Sequence, residues 1–411
     1  MNKQINTIDL FAGCGGLMEG FEKEGSYTTV ACVEWEKSPC ENLRNRLEKK
    51  WGHHNAKNEV IRFDIQRTDE LFHGYNDIEY GCHPGLDKLV GKKKIHIIIG
   101  GPPCQAYSLA GRIRDKNGMR NDYRNYLFES YLKVVNHYKP NFFIFENVQG
   151  MLSAAPDGYP IINKIKQSFE DSGYKVTDDF SSSVFDLTEF GIPQNRKRII
   201  ILGINKVVYG NQSEYILQDF YQSIIPSYKC KKVTVKEAIG DLPKLYPLEN
   251  EVKILGKKYS HSLNTDTSIY NHIPRFHSKR DIDIFHMLAE DIATDKNEYT
   301  DINTLKKLYS NLTGKESNVH KYYVIRMNEQ SNTIPAHLYK DGLRHIHPDP
   351  EQMRSITVRE AARLQTFDDD YEFIGGMMQQ FKMIGNAVPP RFSLLLAKAM
   401  KQIINKYGME D

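Results

Sequence analysis

The sequence contains no run of about 18 apolar residues, so no membrane-spanning helix is expected. Its first residues, MNKQINTIDLFAGCGG, lack the layout of a secretory signal. Cysteine is scarce: Cys14, Cys32, Cys40, Cys82, Cys104 and Cys230 are the only six in 411 residues. They form no C-x-x-C pair and no zinc-type spacing, which argues against a disulfide framework and against a structural metal. Cys82 beside His83 supplies two adjacent candidate ligands and no more, so no metal site is expected. Free thiols imply a reducing, cytoplasmic setting. No repeat period is visible, which excludes a solenoid. No G-x-G-x-x-G follows a strand pattern, which disfavours a dinucleotide oxidoreductase. Extreme charge is missing as well: 55 Lys and Arg face 52 Asp and Glu, for a net +3. That balance permits a polyanionic partner without requiring one, since any solvated surface gives the same.

The length suggests two domains, or one large domain with an insertion. Short apolar runs alternate with helical spacing through the first half. Residues 5–11, 28–34, 95–99, 141–146 and 198–204 read as strands, and IHIII at 95–99 as a buried one. Helical patterns follow residues 13–16, fill 38–50, and place Leu127, Tyr131, Val134, Val135 and Tyr138 on one face. Strands separated by helices imply an α/β fold, a parallel sheet with helices on both faces. After residue 205 the periodicity loosens until about 354. A helix then resumes at 357–365, with Thr357 and Glu360 spaced as a capping box, and a last amphipathic helix covers 392–404. The expected organisation is an α/β domain built from 1–204 and 354–411, interrupted by a smaller domain at 205–353.

Two groups of residues suggest chemistry. DLFAGCGG at 9–16 joins the first strand to the first helix, where glycines let the backbone approach a ligand. A glycine turn alone serves a purely structural bend equally well. Glu34 ends the second strand, where an acid can bind ribose hydroxyls, and Trp35 can stack on a base. Asp64 follows the third strand and can accept from an adenine amino group. Each could instead be a solvated strand end or core packing; together, at successive strand ends, they favour an adenosine ligand. The second group follows the buried strand at 95–99: Gly100-Gly101-Pro102-Pro103-Cys104-Gln105, in which two prolines stiffen the approach to a thiol. Glu146 follows NFFIF, where poor solvation should raise its pKa and suit it to proton donation. Gln194, Arg196 and Arg198 alternate onto one face if extended, so at least one arginine should point into a site.

With these residues in view, the chain resembles the DNA cytosine-5 methyltransferases of bacterial type over nearly its whole length. The matching segments are DLFAGCGG, Glu34-Trp35, Asp64-Ile65, PPCQAYS at 102–108, ENV at 146–148, QNRKR at 194–198, REAARLQTF at 359–367 and GNAVPP at 385–390. The doubled proline before Cys104 departs from many members and leaves the chemistry intact. The resemblance implies a Rossmann-like, mostly parallel sheet binding S-adenosylmethionine (AdoMet), with an inserted target-recognition domain. It implies a cofactor pocket of Phe11, Gly13, Cys14, Gly16, Glu34, Trp35, Asp64, Ile65, Pro103, Leu127, Asn386, Ala387 and Val388. Cys104 would be the nucleophile, Glu146 would bind cytosine N3 and the amino group, Arg198 would hold O2 and Arg196 would support them. Gln105, Ser108, Arg112, Arg120, Gln194 and Thr333 would contact DNA, with Arg114 and Arg124 in the same mobile basic loop as Arg112 and Arg120.

The implied partner is double-stranded DNA, with a restriction endonuclease acting separately on the same site. The compact form points to a bacterial or phage modification enzyme. A monomer is expected, because a palindrome can be methylated one strand at a time. Arg275, Phe276, His277, Lys279 and Arg280 could read bases or simply form a solvated helix start. The main rival is a tRNA cytosine-5 methyltransferase, against which the long recognition segment argues. A non-catalytic binding protein is disfavoured by the joint presence of Cys104, Glu146 and Arg198.

Overall fold

The computed structural model describes residues 4–103, 127–155, 158–314, 316, 322–340 and 342–409. The chain forms two compact units. The first comprises Met1–Phe190, Lys197–Cys230 and Ala387–Asp411; the second comprises Gly191–Arg196 and Lys231–Asn386.

The first unit is built on an eight-stranded sheet. Its strands are β1 (Ile5–Leu10), β2 (Tyr27–Glu34), β3 (Val60–Arg62), β4 (Ile97–Gly100), β5 (Phe142–Val148), β6 (Tyr174–Lys175), β7 (Val184–Asp186) and β8 (Lys197–Asn205). They lie in the order β3-β2-β1-β4-β5-β8-β6, and β7 pairs with β8. β1 to β5 run parallel, with registers such as Ile8 opposite Ile98 and Ile98 opposite Phe143. Ile97, Ile98, Ile99, Phe142, Phe143 and Ile144 are fully buried, as a strand covered on both faces requires. β8 departs from the all-parallel pattern and runs antiparallel to β5, β6 and β7. The chain enters it from the adjoining β7 through residues 187–196, which hold one 3-10 turn at Leu187–Phe190 and no crossover helix, a connection that antiparallel pairing allows.

Helices α1 (Gly16–Glu24), α2 (Lys37–Trp51), α3 (Leu127–Tyr138) and α4 (Ile161–Asp171) follow β1, β2 and the later strands. The first turn of α1 lies against the C-terminal segment. A Cβ on Gly16 would sit 2.3 Å from the Val388 carbonyl oxygen, so only glycine fits there. Residues 205–230, expected in the inserted domain, pack with the sheet instead. The Tyr221 hydroxyl accepts from Leu202 N and donates to Ile200 O, both at 2.9 Å, tying this segment to β8.

The second unit holds α5 (Lys279–Ala293), α6 (Ile302–Thr313), α7 (Val358–Leu364) and α8 (Met377–Asn386), with a hairpin at Pro247–Ile254 and Lys257–His261 whose end at Ser260 and His261 is buried. Ile284, Phe285, Leu288 and Ala289 of α5 pack with Leu305 of α6 and with Tyr322, Val324 and Ile346. α7 begins at the expected capping box, Thr357 with Glu360, and both reciprocal bonds form. Residues 354–386 thus belong to this unit, because the buried side chains of Arg354 and Glu360 lie at its centre. The chain returns to the first unit at Ala387 and ends in α9 (Pro390–Tyr407). Among the described residues no helix is long and apolar enough to cross a membrane.

Candidate active site

Parallel strands leave their carboxyl ends on one edge of a sheet, and each of β1, β2, β4 and β5 delivers a candidate residue there. β1 ends in a turn that begins with Phe11 at φ 57°. The left-handed conformation costs a non-glycine residue about 1–2 kcal/mol, so the surrounding bonds must hold it. Ala12 N donates to Val33 O at 3.1 Å, and Gly13 N donates to Glu34 Oε2 at 2.9 Å. The other Glu34 oxygen accepts from Trp35 N at 2.9 Å and from Glu36 N at 2.8 Å. A carboxylate has about four lone-pair sites, so three N–H donors fix Glu34 and still leave capacity for a hydroxyl. Burial raises its pKa, while the N–H groups of Glu36 and Gly13 oppose that rise.

The turn is open where a ligand would lie. A Cβ built on Gly13 meets nothing within 4 Å. Trp35 is 50% exposed, between buried Glu34 and half-buried Glu36. Arg62 Nε donates to the Trp35 carbonyl at 3.3 Å. Asp64, just beyond β3, is half-buried and accepts from Gln66 N at 3.0 Å. Ile65 is buried beside it. A fixed acid, a half-exposed indole and a second acid suit a ribose and an adenine. Cys14 and Gly16 are buried, as are Leu127, Ala387 and Val388, and Pro103 is half-buried. Asn386, the last residue of α8, is exposed and lies in the second unit.

The acidic candidate of β5 has a partner. Arg198 Nε lies 2.7 Å from Glu146 Oε1, with the two side chains only 13% and 12% exposed. The antiparallel register explains the pair: Arg198 opposes Val148 while Ile200 opposes Glu146, so acid and base are diagonal neighbours on one face. Arg198 thus gives the Glu146 carboxylate a counter-charge that its place at the strand end alone did not announce. The next residue, Asn147, is buried, donates from Nδ2 to Pro102 O at 3.4 Å and accepts from Val148 N at 2.8 Å. It thereby joins the end of β5 to the segment that leads from β4 to Cys104. Asn147 and Gly101 lie inside the ENV and GGPPCQ segments, but only the packing shows what they touch.

Burial alternates across 194–198, with Gln194 and Arg196 buried and Asn195 and Lys197 exposed, although the strand itself begins only at Lys197. Gln194 is fully buried in the second unit; its Nε2 donates to Leu364 O at 2.9 Å and its Oε1 accepts from Ile334 N at 3.0 Å. Arg196 is also buried there and donates to Ile334 O at 3.3 Å and Gly385 O at 3.4 Å. Thr333 is exposed, and its hydroxyl donates to Asn195 O. In this conformation Gln194 and Arg196 therefore turn inward and organise the 333–334 segment. Arg275, one of the basic residues before α5, is likewise engaged, with Nη2 donating to Leu338 O at 2.6 Å. Cys104, Gln105, Ser108, Arg112, Arg114, Arg120 and Arg124 lie outside the described residues.

The model of the C-5 cytosine-specific DNA methylases matches residues 5–402. The type II methyltransferase M.Bpa9945I of Bacillus paralicheniformis is 33% identical, over 97% of this chain and 99% of its own. The type II methyltransferase M.DdeI of Desulfomicrobium norvegicum is 29% identical, over 98% of this chain and 89% of its own. Among solved structures, an E. coli prophage protein described as a candidate DNA modification methyltransferase superposes with a TM-score of 0.60 at 24% identity, covering 98% of this chain and all of that one. A methyltransferase of Entamoeba histolytica superposes at 0.54 with 15% identity, covering 98% of this chain and 99% of its own. These two likenesses bear on the fold, which is that of the methyltransferases. Sheet, motif order and family match agree: the chain belongs to the C-5 cytosine-specific DNA methylases and is a DNA (cytosine-5-)-methyltransferase.

Proposed function

We propose that this chain methylates one short sequence in double-stranded DNA, using AdoMet as donor and Cys104 as nucleophile. The observation that carries this reading is the Glu146–Arg198 pair at the edge of the sheet, joined through Asn147 to the segment that ends at Cys104. When bound, AdoMet supplies an electrophilic methyl group and departs as a neutral thioether. Glu34, Trp35, Asp64 and the turn at Phe11 and Gly13 would hold its adenosine part.

The chain's own residues do the rest. Cytosine C5 is a poor nucleophile. Addition of the Cys104 thiolate to C6 forms a C–S bond and gives C5 enamine character. Glu146 would hold the N3 and amino edge of the base, and Arg198 stabilises the charge that develops at O2. In the free enzyme these two groups neutralise each other; an inserted cytosine takes their place as partner of both. After transfer, a base removes the C5 proton, that electron pair restores the C5–C6 double bond, and the C–S pair leaves with Cys104. The reacting carbon lies inside a base stack, so the nucleotide must be flipped out. The second unit would select the sequence, with Thr333 among its contacts, and the arginines at 112–124 would meet phosphates.

The names of the relatives favour DNA over tRNA, and they support a modification enzyme paired with a separate endonuclease. We place the enzyme in the cytoplasm as a monomer. Bisulfite sequencing of host DNA, beside a Cys104→Ala control, tests the reading. One short motif should become fully protected with the wild type alone. Soluble wild type that protects no DNA cytosine would overturn it and leave tRNA as the substrate to examine.

A further inference from the structure

Two glycines in succession, Gly100 and Gly101, separate β4 from the prolines, and their surroundings differ. A Cβ on Gly100 would lie 2.5 Å from the Leu10 carbonyl oxygen and 3.0 Å from the Tyr131 ring. Backbone cannot retreat, so Gly100 serves the packing of the sheet. A Cβ on Gly101 would meet one thing only at short range, Glu146 Oε2 at 2.6 Å; its next neighbours are Glu146 O at 3.5 Å and Glu146 Cβ at 3.7 Å. Gly101 shows no left-handed φ. Its backbone would accept alanine, and its main-chain surroundings would too.

We infer that Gly101 is a positioning residue: its missing side chain is the space in which the Glu146 carboxylate stands. A free carboxylate could swing aside from an added methyl group at little cost. Glu146 cannot do so without loss, because its other oxygen is held by Arg198 Nε at 2.7 Å. Asn147 further limits relief by backbone movement, since its side chain bonds both to Pro102 O and to Val148 N. A methyl at position 101 therefore rotates the carboxylate off Arg198 and away from the place where N3 of cytosine is to be met. The inference rests on the role proposed for Glu146, and misplacement of a catalytic group by about 1 Å can cost about 100-fold.

The test is single-turnover methyl transfer from labelled AdoMet to DNA carrying the site found by bisulfite sequencing. It is run on wild type, Gly101→Ala, Glu146→Asp and the double variant. Binding of S-adenosylhomocysteine and the melting temperature are read alongside. Gly101→Ala should slow transfer about 10- to 100-fold, with S-adenosylhomocysteine affinity and melting temperature close to wild type. Aspartate is one methylene shorter and withdraws from the added methyl. In the Glu146→Asp background the same alanine should then cost no more than about threefold, a coupling that a merely structural glycine would not show. Transfer by Gly101→Ala near the wild-type rate overturns the inference. So does equal loss in both backgrounds, or loss that follows S-adenosylhomocysteine binding. Failure of the proposed chemistry itself shows separately, as wild type that transfers nothing.

Discussion

Both units have apolar cores, but the second also buries an extended hydrogen-bonded group of charged and polar side chains that the sheet of the first does not match. The sheet of the first is filled by Ile8, Leu10, Ile97 to Ile99, Phe142 to Phe145 and Ile199 to Leu202, each at most 1% exposed. The second buries Arg354 and Arg359 at 0%, Glu360 at 1%, and His261, His272, His277, His345 and His347 at no more than 6%. Arg354 forks onto Glu360, with both N–O distances 2.7 Å, and reaches Gln352 Oε1 at 2.6 Å. Glu360 accepts from Thr357 N at 2.7 Å, and Thr357 Oγ1 bonds His272 Nδ1 at 3.0 Å. His261 Nε2 reaches Gln352 O at 3.0 Å, and Ser355 N donates to His277 Nε2 at 3.2 Å. An apolar interior depends on volume and tolerates small changes of shape. A hydrogen-bonded interior depends on every partner, and the loss of one leaves another buried and unpaired.

The largest contrast is therefore expected from Arg354→Met, which keeps most of the volume and leaves Glu360 charged in the core. Breaking a buried pair in this way costs about 3–5 kcal/mol. The molecule carries its own reporters: both tryptophans, Trp35 and Trp51, lie in the first unit, whereas far-ultraviolet circular dichroism sees α5 and α6 as well. In urea the variant should lose part of its helical signal well before its tryptophan fluorescence changes. Adding Glu360→Gln should recover much of the loss. Coincident transitions at the wild-type midpoint would show that the polar centre contributes nothing special.

The same difference explains what was legible in the sequence. IHIII and NFFIF announce buried strands because their burial is apolar, and the turn at 9–16, Glu34, Trp35 and Glu146 could be placed by counting from strand ends. Arg354, Arg359 and Glu360 look like surface residues in any hydrophobic pattern, so residues 354–386 were expected in the wrong unit. Only the capping box at Thr357 and Glu360 was visible there. The ion pair of Glu146 with Arg198 depends on an antiparallel register, and the roles of Gly101 and Asn147 depend on contacts across the sheet. None of these has a periodicity. Gln194 and Arg196 alternate in burial with Asn195 and Lys197, as their spacing suggests, but their partners at Ile334, Leu364 and Gly385 depend on contacts far away in sequence.

Acid should separate the units next. Desolvation lowers the buried histidines, to about 4 for His261 and His347 and about 3 for His277 and His345. Arg354 adds to the lowering at His261, His277 and His347. An unfolded histidine titrates near 6.5, so each contribution is complete above that value and is lost as pH falls toward 3 to 4. The loss is about 1.4 kcal/mol per pH unit for each histidine. Desolvation would raise Glu360, but Arg354 and His347 outweigh it and hold the carboxyl low, so its contribution also disappears in acid. Three groups of the first unit respond with the opposite sign, although His83 there is lowered by burial. Burial raises Asp9 and Glu34, which makes protonation there favourable to folding. Hydrogen bonds to Glu22 and Glu59 raise His53 to about 9, a contribution present below pH 6.5 and lost only in alkali. Between pH 6.5 and 4.5 the helical signal should fall while tryptophan emission stays native. Loss of both signals together would refute the assignment of acid sensitivity to the second unit.

The smallest effect sharpens the comparison from the apolar side. Ile98 is fully buried in β4, with Ile8 and Phe143 as its ladder partners. Ile98→Val removes one methylene and leaves every hydrogen bond in place. The cost is the lost transfer free energy plus a small void, about 0.5–1.5 kcal/mol. The tryptophan-reported transition in urea should move by that amount, and the earlier helical transition of an Arg354→Met, Ile98→Val double variant should stay where Arg354→Met alone puts it. A shift of the fluorescence midpoint as large as the one Arg354→Met imposes on the helical signal would mean that packing shape in the sheet is as exacting as partner loss in the polar centre. The contrast between the two interiors would then be one of composition without energetic consequence.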